Sequence, residues 1–195
     1  GTKNITVGGA ISSDVHGKNH HCDGSFANHV LQISLIDGLG NLRNLSPFDI
    51  TSSAAFWATT GGMGLTGVIV EAKFKLISIT SSQIKVQTQK FNDLESLMET
   101  MIENDNNYKY SVAWIDSLSK KGKGILTRGN HAESDELNHK DRKRIKEPLK
   151  YDEMKSPNTP LFFPNGILNN FTVSLFNKAW FAKSTNTLES EFQSI

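Results

Sequence analysis

Gly62-Met63-Gly64-Leu65-Thr66-Gly67 has the spacing of the glycine loops that wrap a dinucleotide, but its surroundings run in the wrong order for one. Such a loop works when a strand leads in and a helix leads out, so that the helix N-terminus meets the pyrophosphate. Here Ser52 to Thr59 reads as a short helix around Phe56-Trp57, and Gly67 to Phe74 reads as a β-branched strand. No suitable acidic residue stands about twenty positions on to bind a ribose. A Rossmann-type dinucleotide site at this loop is therefore rejected. The residues by themselves describe a tight helix-to-strand turn whose glycines supply positive φ.

The rest of the pattern alternates short strands with helices. Val30 to Ile36 is strand-like, Asp37-Gly38 and Gly40-Asn41 carry turn chemistry, and Leu42 to Leu45 returns, which makes a hairpin. From about residue 80 the character changes. Ile84 to Gln89 alternates as a strand, and Asn92-Asp93 caps a helix running to about Asn104 with Leu94, Leu97, Met98, Met101 and Ile102 on one face. Tyr110 to Ile115 and Gly124 to Arg128 add two strands, while Phe171 to Phe181 reads as strand or irregular chain. Residues 130–160 are polar and basic, with Pro148, Pro157 and Pro160, and are expected to form a mobile loop. The expected class is α+β, with one domain over 1–80 and a second over 81–195.

Residues 8–21 concentrate groups suited to a ligand. Gly8-Gly9-Ala10 exposes backbone that can approach a flat ring or a diphosphate, and His16-Gly17-Lys18-Asn19-His20-His21 follows with groups for proton transfer and positive charge. Zinc chemistry is disfavoured because no glutamate follows the first histidine in the zincin manner and no CxxC pair exists. His20, His21 and His29 are expected to satisfy backbone groups around a turn. The single cysteine, Cys22, excludes an intrachain disulfide framework and reads as a small packing residue.

Thr6-Val7-Gly8-Gly9-Ala10, His16 to His21, Gly24-Ser25-Phe26 and Asn28-His29-Val30 together resemble the second half of the FAD-binding domain of the vanillyl-alcohol-oxidase/PCMH-type flavoenzymes. The resemblance continues through Phe56-Trp57-Ala58-Thr59, Gly61-Gly62, Gly64 to Gly67, Glu147 to Asp152 and Phe163 to Gly166. It implies an antiparallel sheet with helices over 1–80, followed by part of an α+β substrate domain. A first FAD subdomain with the diphosphate loop is expected before Gly1, and the rest of the substrate domain, with a catalytic lysine, after Ile195.

The resemblance implies non-covalent FAD held by Gly1, Thr2, Gly8, Gly9, Ser12, Ser13, Val15, His16, Gly17, Gly62, Gly64, Gly67 and Val68. It makes His16 the catalytic group at the flavin and substrate mouth, with Lys18 beside it as a substrate contact. Within the family the pattern is similar to the branch that oxidises the 2′-hydroxyl of polyprenylphosphoryl ribose, whose keto product a partner reductase completes to arabinose. An alditol or aldonolactone oxidase of the same fold is one alternative, and a sugar or lipid-phosphate binding module without flavin is another.

Charge bears on the partners. A net charge of +1 in 195 residues gives no global drive toward nucleic acid. The cations between His139 and Lys150 would draw the protein to an anionic lipid surface, although a solvated face is the plainer reading. A bacterial cytoplasmic or periplasmic protein with peripheral membrane contact is expected.

Overall fold

The computed structural model describes residues 5–133, 136, 146–151 and 165–194, of which 187–194 are described by their backbone. The chain is α+β and divides into two compact units, Gly1–Ser78 and Ile79–Ile195.

In the first unit, α1 (Val7–Ser12), α2 (His20–Asp23) and a 3-10 turn (Phe26–His29) precede β1 (Val30–Ile36) and β2 (Leu42–Leu45). Helix α3 (Ser53–Thr59) and β3 (Val68–Phe74) follow. The strands form an antiparallel sheet in the order β2-β1-β3. Asp37 makes the β1–β2 turn: its carboxylate accepts from the Leu39 and Asn41 amides and from Arg43 Nε. The Arg43 hydrogen bond, helped by that of Asn41, holds the Asp37 carboxyl down at about 2.

Val30, Ile33 and Leu35 of β1 enter the core, which strict alternation would forbid; irregular pairing with β3 between Val30 and Gln32 resets the parity. There they meet Ile11, Leu45 and Phe56. Because Ile33 is fully buried in this cluster, Ile33→Val should cost about 1 kcal/mol in denaturant unfolding. An unchanged midpoint would show that the site collapses to fill the methyl's space.

In the second unit, β4 (Gln83–Phe91), α4 (Leu94–Asn104), β5 (Tyr110–Ile115), β6 (Gly124–His131), α5 (Asn170–Lys183) and β7 (Thr187–Ser194) build an antiparallel sheet in the order β5-β6-β4-β7. Asp93 caps α4 by accepting from the Ser96 amide, as its position before the apolar run suggests. The buried face of α4 is narrower than its sequence pattern indicates. Leu97 and Met101 reach Phe91, Leu126 and Ala113, whereas Leu94, Met98 and Ile102 stay exposed.

Two expectations need correction here. Phe171 to Phe181 is helical: Asn169 accepts from the Phe171 and Thr172 amides, and Thr172 Oγ1 accepts in return from the Asn169 amide, a capping box that starts α5. The expected basic loop begins later than residue 130, because Asn130 and His131 pair with Lys85 and Ile84 inside β6. Residues 134–135, 137–145 and 152–160 of that loop lie outside the described residues.

Candidate functional site

Thr6 decides the form of the glycine segment. Its extended backbone and its Oγ1, accepting from Gly9 N at 3.0 Å, cap a helix, so Gly8 and Gly9 lie in the first turn of α1 rather than in an open loop. The helix ends at Ser13. Asp14 then turns the chain with φ 41°, and its carboxylate accepts from Ala27 N at 2.9 Å while Phe26 N donates to Val15 O. These bonds fix residues 13–15 and leave Ser13, His16, Gly17 and Lys18 exposed.

The glycine turn closes on the end of the same helix. Gly61 N donates to Ile11 O at 3.1 Å, which also accepts from Asp14 N at 3.0 Å, and Met63 N donates at 2.9 Å to Ser12 O, a carbonyl that the helix C-terminus leaves without an intrahelical partner. Two segments far apart in sequence are thereby joined, with Ser12 and Ser13 beside Gly61 to Gly64. The glycines of this turn differ in purpose. A Cβ on Gly62 would overlap the Ala58 carbonyl oxygen, and one on Gly67, at φ 148°, would overlap that of Ile36. Gly64, at φ 80°, faces open space.

His16 carries no hydrogen bond among the described residues; its ring lies 4.8 Å from that of His20. His29 Nε2 lies 3.1 Å from Asp23 O, the backbone role expected of it. Cys22 departs from expectation, since α2 is a single exposed turn and the thiol side chain is exposed rather than packed. No cluster of three or more potential metal ligands occurs among the described residues.

The joint of α1 with the turn sets apolar and polar groups side by side around exposed backbone. Met63, Leu65 and Val68 are exposed apolar groups on the turn and strand edge, and Ser12, Ser13 and His16 provide polar groups near the helix end. The unfilled space at Gly64 admits close approach of a planar group to backbone. These residues fit the ring portion of FAD. Gly1 and Thr2 lie outside the described residues.

The second unit holds a polar cavity of about 300 Å³ lined by Lys85, Gln87, Tyr108, Asn130, His131 and Glu136. Its groups are largely paired with each other: Lys85 Nζ donates to Glu136 Oε1 at 2.7 Å, and Tyr108 Oη to Gln87 Oε1 at 2.6 Å. The Lys85 bond, with the Glu133 amide, lowers the Glu136 carboxyl from its ordinary value. His131 Nδ1 lies 3.1 Å from the Ser81 carbonyl, which can only accept, so Nδ1 carries the proton. In the neutral ring, Nε2 then accepts from Tyr110 Oη at 2.9 Å. Sequence reading missed this cluster, although Lys85 and Gln87 alternate on one face of β4 opposite Asn130 and Arg128.

The chain is 38% identical over 188 residues to decaprenylphosphoryl-β-D-ribose oxidase of Mycolicibacterium smegmatis, covering 94% of this chain and 40% of that protein. It is 34% identical over 140 residues, 70% of its length, to an uncharacterized protein in the mprA 5′ region of Streptomyces coelicolor, of which it covers 37%. No family model matches. The chain spans about two fifths of the length of these curated relatives.

Proposed function

We propose, from a chain similar along 94% of its length to a decaprenylphosphoryl-β-D-ribose oxidase, that it forms part of an FAD-dependent oxidoreductase acting on a sugar hydroxyl. The substrate is read as polyprenylphosphoryl ribose, oxidised at its 2′-hydroxyl to the keto sugar, which a partner reductase then reduces with opposite stereochemistry. The observation that carries this reading is the joining of α1 to the glycine turn, with His16 exposed on the loop that leaves α1.

Bound FAD supplies the acceptor for the hydride that leaves the 2′-carbon. The chain's own residues do the rest. Ser12, Ser13 and the backbone around Gly64 would hold the flavin, and the exposed apolar groups Met63, Leu65 and Val68 would exclude water from it. His16 accepts a hydrogen bond from the 2′-hydroxyl, orienting it, and takes its proton as the hydride leaves the 2′-carbon. Lys18, exposed two residues on, meets the substrate's phosphate as a point charge.

The test uses the full-length protein. It should be purified yellow, and its flavin absorbance should bleach anaerobically on addition of polyprenylphosphoryl ribose. Bleaching by alditols or aldonolactones alone would move the substrate to the soluble branch of the family. A colourless protein that binds no added FAD would sink the oxidoreductase reading.

A further inference from the structure

Helix α5 exposes most of its large apolar side chains. Asn177 is its one buried residue and donates from Nδ2 to Asp116 Oδ1 at 2.6 Å, with Val173, Ser174 and Phe181 half-buried on the same side. Its outward face carries Phe171, Leu175, Phe176 and Trp180, which are 77%, 59%, 60% and 46% exposed, with the Phe176 and Trp180 rings stacked. Leu168, just before the helix, is 80% exposed. A contiguous apolar patch of this kind marks a surface that meets something.

Charge tells what it meets. From Ile167 to Lys183 there is no acidic residue, while Lys178 and Lys183 lie on the helix. Helix α4 offers the contrast. It too exposes Leu94, Met98 and Ile102, but Glu95, Glu99 and Glu103 run beside them and would repel an anionic surface. Aromatic and leucine side chains outward, lysines at the margins and no carboxylates are what a helix lying in the headgroup layer of a bilayer requires. No described helix is long and apolar enough to cross a membrane.

We propose that the outward face of α5 docks the protein on an anionic lipid bilayer, its apolar residues inserted among the acyl chains and its lysines at the phosphates. The proposal rests on the reading above only for its purpose. A substrate with a polyprenyl tail resides in the bilayer, so an enzyme that oxidises its sugar must work at that surface.

The test is sedimentation of the full-length protein with vesicles of phosphatidylcholine and phosphatidylglycerol, alongside quenching of its tryptophan fluorescence by brominated lipid. Binding is expected with phosphatidylglycerol and should weaken with salt. Phe171→Gln/Trp180→Gln should lower the partition coefficient by about tenfold or more. Each of Lys178→Gln and Lys183→Gln should lower it by about fivefold. Trp180→Phe should remove most of the brominated-lipid quenching.

Phe171, Leu175 and Phe176 are more than half exposed and Trp180 is nearly so, and Lys178 and Lys183 are exposed, so the variants should melt close to the parent. Three results overturn the proposal: no vesicle binding by a folded parent, a parent dimer that Leu175→Gln/Phe176→Gln disperses, or unfolding of the variants, which would mean that other parts of the polypeptide cover the helix. The functional reading fails separately. Loss of lipid binding should leave oxidation of a short-chain, detergent-dispersed substrate unchanged, and absence of that oxidation would leave the vesicle result standing.

Discussion

His16→Ala in the full-length enzyme should lower turnover of the sugar substrate by about a hundredfold or more, while flavin content per protein stays at the parent level. The expectation comes from where the imidazole sits. The loop is fixed on one side by Asp14 to Ala27 and Val15 to Phe26 hydrogen bonds, yet the ring projects beyond them exposed. Removing it breaks none of the contacts that shape the loop, so stability should move by no more than about 0.5 kcal/mol. His20 is its ring neighbour and the obvious substitute. His20→Ala alone should therefore have a small effect, whereas the double variant should be slower than His16→Ala by whatever His20 supplies in its place. Parent-like turnover in His16→Ala would remove it from the chemistry.

The second large effect is on folding and separates two glycines of one turn. Gly67→Ala places a Cβ against the Ile36 carbonyl at a backbone angle that L-residues rarely adopt, and neither the strand edge nor the carbonyl can yield cheaply. A loss of about 3 kcal/mol or more is expected in urea unfolding. Gly64→Ala shares the positive φ but meets open space, so about 1 kcal/mol is expected. If Gly64 does contact the flavin ring, its alanine variant should lose cofactor affinity out of proportion to that small loss of stability. Equal destabilisation by the two substitutions would show that φ alone governs this turn.

The strands were legible because each carries its own signal: β-branched alternation in Val30 to Ile36 and Ile84 to Gln89, with Asp-Gly and Gly-Asn between the first pair. Helix α4 was legible from its cap, since Asp93 stands where Ser96 needs an acceptor. Helix α5 was not. Phe171, Val173 and Leu175 alternate with Thr172 and Ser174, which is a strand pattern at short range. The capping box at Asn169 and a partner distant in sequence, Asp116, decide otherwise. A helix whose one buried residue is polar and whose large apolar residues are exposed gives no readable amphipathic stripe.

At the candidate site, the residue types were legible and the local form was not. Two adjacent glycines read as loop, and only the Thr6 cap, with its bond to Gly9, makes them the opening of a helix. The contact of that helix with the turn at Gly61 to Gly64 is made by backbone amides and carbonyls, which no residue identity announces.

That contact also ties the two segments into one cooperative unit. Opening the turn strips the Ser12 carbonyl of its donor and the Ile11 carbonyl of one of its two, and fraying α1 releases the turn, so the two should open as a single event well below global unfolding. A ligand that touches only one of them therefore stiffens both. Occupancy at the turn would hold the loop bearing His16 in its working position, and the reactive side chain would come to order with the cofactor's arrival rather than before it.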